Sequence, residues 1–299
     1  MFMMKRLLVT MSVLFLCFML PGLALSGDKV LKMSTTTSTQ ASGLLDILLP
    51  EFTKDTNIVV KVIAKGTGAA IRDGIDGNVD IIFVHAKERE EKFVNDGFGT
   101  KRYPVMHNDF VVLGPLSDPA GIKGCAVAAE ALQKIAAASA VFVSRGDDSG
   151  THTKEQDLWK VSGLPLEKGT QTIVAKGVEK QVNFERPVGD WYLSIGQGMG
   201  KALTVADEKQ AYILADRGTY IKYKFGRDIP LELEVLCEGD ATLANPYGII
   251  PVNPAKHPHV KNDLAMQFTT WITSARGQKL IGDYRLLGKQ LFYPDAAVQ

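Results

Sequence analysis

Cysteine is nearly missing from this 299-residue chain: it has three, Cys17, Cys125 and Cys237. None stands with histidines at zinc-ligand spacing, which excludes a structural zinc module. Charge of one sign is missing too. Thirty-four Lys and Arg face 33 Asp and Glu, far from the basic excess of a nucleic-acid binder. There is no internal repeat, low-complexity tract or long linker, which excludes solenoids and disordered tethers. The one long apolar run, Leu7 to Leu20, falls short of the ~20 residues that a membrane-spanning helix needs.

That run reads instead as the centre of a secretory signal. Lys5 and Arg6 precede it, Pro21-Gly22 breaks it, and Ala24-Leu25-Ser26 offers small residues for cleavage near Ser26/Gly27. The pattern predicts a signal peptide over residues 1–26 and an exported mature chain. The bulky Leu14-Phe15-Leu16 before Cys17 argues against a lipid anchor. Loss of Lys5 and Arg6 leaves 32 basic against 33 acidic residues. The mature length suits one large or two medium domains. An oxidising compartment lets Cys125 and Cys237 pair if the fold brings them together. Two separately buried thiols are the other reading, and both stay open.

The mature sequence alternates β-branched runs with helical patterns, which predicts an α/β fold. Strands are expected at 29–33, 58–63, 79–84, 108–113, 141–144 and 244–252, the last interrupted by Pro246. Helices are expected at 43–53, 69–76, 126–139 and 149–161, and a closing helix at 262–283. Two crossing points, near 110–115 and 240–247, predict two lobes with a cleft between them: 27–112 with 245–299, and 113–244. Ligands of such folds sit where strands end and helices begin, and three loops have that address.

The first is Ser34-Thr35-Thr36-Thr37-Ser38-Thr39, six hydroxyls in a row. A helix cap needs one or two. The surplus suits an anion held by neutral donors at a helix N-terminus. The second, Lys65-Gly66-Thr67-Gly68, is a weak signal alone. It gains weight beside the first. The third is Ser144-Arg145-Gly146-Asp147-Asp148-Ser149-Gly150-Thr151-His152. The fork of Arg145 matches a tetrahedral oxyanion, and Ser149 and Thr151 stand at a helix start. One of Asp147 and Asp148 is expected to pair with Arg145 and the other to cap the helix. A serine nucleophile is the weaker reading. Asp147 stands where a nucleophile elbow has glycine, and His152 follows Ser149 on the same helix.

At this length of match the chain resembles the periplasmic solute-binding proteins of oxyanion ABC importers, in particular the TupA-type tungstate-binding family. The matching segments are "STTTST", "LLDILLPEF", "KGTGAA", "VDIIFVHA", "NDFVVLGP", "SRGDDSGTH", "WYLSIGQGMG", "ADRGTY" and "NPYGIIPVNP". The resemblance implies a two-lobed type II periplasmic-binding fold. It also implies a monomer that needs no cofactor or metal cation and that hands tungstate to a membrane ABC permease. Thr36, Thr37, Ser38 and Thr67 would donate from one lobe, and Arg145, Ser149 and Thr151 from the other. Phosphate-binding relatives carry an acidic residue in the first lobe. Here the strand end reads Phe83-Val84-His85-Ala86, which favours an unprotonated dianion such as tungstate or molybdate over phosphate. His85 is expected to support the site rather than touch the ion. Arg217 is expected to be a structural ion-pair partner. Receptors for molybdate, sulfate or phosphate, an exported hydrolase using Ser149, and the sensing half of a regulator remain the rival readings.

Overall fold

The computed structural model describes residues 29–175 and 178–297; the expected signal peptide lies outside them. The first strand, β1 (Lys29–Thr36), is followed by a short helix α1 (Thr37–Ser42) and by α2 (Leu44–Thr56). Next come β2 (Ile58–Lys65), α3 (Thr67–Ile75), β3 (Ile81–Val84) and α4 (Lys87–Asn95). A long strand, β4 (Tyr103–Gly114), leads to α5 (Ala128–Ala137), β5 (Phe142–Ser144) and α6 (Gly150–Val161). A hairpin, β6 (Leu166–Ala175) and β7 (Val178–Pro187), precedes β8 (Tyr192–Ser194), α7 (Met199–Glu208), β9 (Tyr212–Asp216) and α8 (Arg217–Phe225). The chain closes through β10 (Glu234–Cys237), β11 (Ala244–Pro251), α9 (Asn262–Thr273) and α10 (Ala275–Asp283).

The principal sheet has the order β2-β1-β3-β11-β4-β9-β5-β8, and β4 is its spine. From Tyr103 to Asp109 it pairs with β11; from Phe110 to Leu113 it pairs with β9. The exchange of partner between Asp109 and Phe110 divides the sheet into two halves. In one, β1, β2 and β3 run parallel; in the other, β5, β8 and β9 do. The apolar run Ile81–Val84 is fully buried, as expected for a parallel strand covered on both faces.

Register fixes direction. Both β3 and β4 run antiparallel to β11, so they point the same way; β9 opposes β4. The carboxyl ends of β1–β3 therefore face those of β5, β8 and β9 across the stretch Pro104–Phe110. A core joins the two halves, packing Leu31, Met33 and Phe268 with Val111, Val143 and Ile213. Where the halves meet, Arg217 at the start of α8 holds Asp109 at 2.6 and 2.5 Å and Glu238 at 2.6 Å. This is the structural ion-pairing expected of it.

Several elements differ from expectation. The closing helix is two helices, because the hydroxyl of Ser274 caps the second by accepting from the Gly277 amide. Pro246 does not interrupt β11. It pairs opposite His107, and the register shifts later, between Tyr247 and Gly248. A side chain at Gly248 would collide with the buried Glu90–Arg102 ion pair. Among the described residues no helix is long and apolar enough to cross a membrane.

Candidate anion-binding site

The six hydroxyls of the first loop do different jobs. Ser34, Thr35 and Thr36 belong to the end of β1, where alternation sends side chains to opposite faces. The hydroxyls of Ser34 and Thr35 are fully buried and committed: Ser34 donates to Asp73 Oδ2 at 2.9 Å, and Thr35 to the Phe83 carbonyl at 2.6 Å. Thr36 is the cap of α1, its Oγ1 accepting from the Thr39 amide at 3.1 Å. Thr37 and Ser38, in the first turn, are exposed. Thr67 opens α3 half-buried, and a Cβ at the preceding Gly66 would meet nothing within 4 Å, so the helix start faces open space. Lys65 is taken by Asp73 at 2.8 Å.

His85 follows β3 and sits against two of these hydroxyls. Its Nδ1–H donates to Asn245 Oδ1 at 3.1 Å, and Asn245 in turn donates through Nδ2 to Asn108 Oδ1 at 2.7 Å. That bond fixes the tautomer, leaving Nε2 as an acceptor 3.0 Å from Thr36 Oγ1 and 3.1 Å from Ser38 Oγ. The ring stacks on Tyr247 with centroids 4.6 Å apart. Burial lowers its pKa, outweighing the bond to Asn245 and the charge of Asp216.

The second donor set begins where β5 ends. Arg145 Nη2 donates to Asp147 Oδ2 at 2.6 Å and Nη1 to Thr151 Oγ1 at 3.3 Å. Its Nε is buried with no hydrogen-bond partner. Asp147 also accepts from the Ser149 amide at 3.3 Å. The expected division of labour between the two carboxylates is corrected: Asp148 binds Lys180 at 2.5 Å, and Ser149 itself caps α6 by accepting from the His152 amide. The backbone of Gly146 has φ of 60°, and a side chain there would collide with Ser194 Oγ. Only glycine lets the loop pass.

The Ser149–His152 pair is not arranged as nucleophile and base. The serine oxygen contacts the histidine backbone amide, while the ring's Nδ1 accepts from the Asp148 amide at 3.1 Å. Burial also lowers the pKa of this ring.

Both sets stand at the facing strand ends defined by β4: Thr36, Ser38, Thr67 and His85 on one side, Arg145, Ser149 and Thr151 on the other. The charge of Asp216, at the end of β9, acts on His85. Lys222 of α8 donates to the Ala41 carbonyl of α1. The two halves thus touch at α8 and α1.

Sequence reasoning missed Asn108, Asn245 and Tyr247. Single asparagines in strands carry no signal of their own, and only the pairing of Asn245 with Asn108 reveals the relay. It also missed Arg89, on α4, whose Nη1 lies 3.9 Å from where a Gly68 side chain would begin. This is a second cation near the Thr67 loop.

Comparison with known proteins agrees with this architecture. A family model for the PBP superfamily domain matches residues 26–276. The tungstate-binding protein TupA of Peptoclostridium acidaminophilum is 46% identical over 269 residues, covering 89% of this chain and 85% of its own. The structure of the tungstate-binding protein TupA from Desulfovibrio alaskensis G20 superposes with a TM-score of 0.78 at 48% identity, covering 90% of this chain and 99% of that one. The structure of the tungstate ABC transporter protein from Geobacter sulfurreducens gives 0.69 at 50% identity, covering 86% and 99%. The chain belongs to the PBP superfamily, with its two-lobed α/β fold, and within it to the TupA family.

Proposed function

We propose that this protein is a periplasmic receptor that captures tungstate between its lobes and delivers it to an ABC permease. The observation that carries this reading is the guanidinium of Arg145. It is only 16% exposed, yet two of its contacts are to protein and its Nε–H has no partner. A buried charged donor left unpaired is costly. A tetrahedral dianion in the cleft would accept from it.

Thr36, Thr37, Ser38 and Thr67 would add neutral donors from the first lobe, and Ser149, Thr151 and the first amides of α6 would add theirs from the second. Many preorganised donors would replace the ion's hydration shell. The lobes would comprise residues up to 112 with those from 245, and residues 113–244, closing as hinged bodies about β4 and β11. The receptor would act as a monomer without catalysis, after cleavage near Ser26/Gly27.

Tungstate fits better than phosphate because the carboxylates at these strand ends are already engaged, Asp216 by Thr219 through both oxygens. Asp147, the acid nearest Arg145, has both oxygens occupied. Molybdate shares tungstate's charge and nearly its size, so it stands as the closest competitor. Calorimetric titration with tungstate, molybdate, sulfate and phosphate at neutral pH tests the reading. One-to-one binding of tungstate with sulfate and phosphate silent is expected. Preference for phosphate or sulfate, or no binding at all, would sink it.

A further inference from the structure

Beyond residue 26 the chain has just two cysteines, Cys125 and Cys237, and the fold sets them opposite each other. They form an isolated parallel β-bridge between the loop before α5 and the end of β10. Paired residues of parallel strands send their side chains to the same face. Neighbouring strands lie about 4.7–4.9 Å apart, and a disulfide spans Cα atoms about 4.4–6.8 Å apart.

The loop cannot drift from the strand. Gly124 N donates to the Leu236 carbonyl at 2.9 Å on one side of the bridge, and Ala128 N donates to Asp240 Oδ2 at 2.7 Å on the other. The two thiols differ in access: Cys125 is half-buried, and Cys237 is 1% exposed. Lys134 Nζ lies 3.4 Å from Cys125 Sγ. Burial, and then the neighbouring Cys125, push the Cys237 thiol up to about 11.

We propose that Cys125 and Cys237, thiols in the structure, join in a disulfide that closes the second lobe into a covalent ring, with a small-molecule or protein disulfide as oxidant. The Cys125 thiolate attacks the oxidant RSSR, forming a mixed disulfide and releasing RS⁻. Cys237 then gives its proton to that RS⁻ and attacks the Cys125 sulfur, expelling a second RS⁻ that takes up the proton Cys125 had lost. Two cysteines are oxidised, and one RSSR is reduced to two RSH. The ring encloses residues 125–237, which hold Arg145, Ser149 and Thr151. Reduction therefore loosens the unfolded state of the lobe that carries the charged half of the site.

The test uses the isolated mature chain, so it does not depend on export or on tungstate binding. The protein is oxidised with glutathione disulfide, denatured without reductant, titrated for free thiols and weighed intact. No free thiol and a mass about 2 Da below the reduced chain are expected. The melting temperature of the oxidised form should fall by roughly 5–15 °C in reductant. A Cys125→Ser, Cys237→Ser double variant should melt at one temperature with or without reductant. Two titratable thiols on the monomer after oxidation would overturn the proposal. So would a stable glutathione adduct on Cys125.

Discussion

Asp147 grips Arg145: its Oδ2 lies 2.6 Å from Nη2, while its Oδ1 takes the Ser149 amide. One carboxylate thus ties the guanidinium to the start of α6 and aims the fork rather than opposing the ion. Arg145→Lys keeps the charge but loses the fork and the bond to Thr151. Tungstate affinity should drop about 10–100-fold by calorimetry. Arg145→Glu should bind no measurable tungstate. A lysine variant with native affinity would contradict the bidentate role.

The hydroxyl run can be sorted by substitution. Ser38→Ala removes an exposed donor, so affinity should fall about 5–10-fold, one neutral hydrogen bond, with the melting temperature unchanged. Ser34→Ala removes a buried bond to Asp73. It should lower the melting temperature by a few degrees, about 1 kcal/mol, and leave affinity alone.

This contrast marks how far the sequence was legible. The strand-then-helix addresses of Thr36, Thr67 and Arg145 could be read directly, since hydroxyls crowd the first, glycines flank the second, and an arginine stands among glycines and hydroxyls at the third. The commitment of Ser34 and Thr35 to the interior could not, because the extra length of β1 depends on pairing with β2 and β3. The partner exchange of β4 at Asp109–Phe110, and the Asn108–Asn245 relay across it, exist only in register. The hairpin of β6 and β7 escaped notice because its lysines, threonines and glutamines make a polar two-stranded ribbon with few buried residues.

His85 and Asn245 should act as one unit. Asn245→Leu touches no proposed ion contact, but it removes the acceptor that holds Nδ1–H. Tungstate affinity should fall several-fold in Asn245→Leu and in His85→Leu. The double variant should be no weaker than the worse single one. Additive losses, measured by titration of all three variants, would show that the relay does not reach the hydroxyls.

Glu155 gives the fold a pH dependence. Its Oε1 accepts from Tyr192 at 2.7 Å and from Trp159 at 3.0 Å, and burial raises its pKa to about 7. A carboxyl raised above its unfolded value contributes stability fully below pH ~4.5 and loses it as pH rises through about 7. Glu155→Gln keeps the acceptor and cannot ionise. Denaturant unfolding should find the variant and the parent similar at pH 4.5. At pH 8 the variant should be more stable by on the order of 2–3 kcal/mol.

The central claim is that two donor sets at facing strand ends close on one anion. Diffraction from crystals grown with tungstate, recorded at the tungsten absorption edge, tests it most directly. The account predicts one strong anomalous peak, its oxygens contacted by Thr36 or Ser38 from one half and by Arg145 and the first turn of α6 from the other. A peak contacted by one half alone, or one lying outside the stretch spanned by Pro104–Phe110, would contradict it.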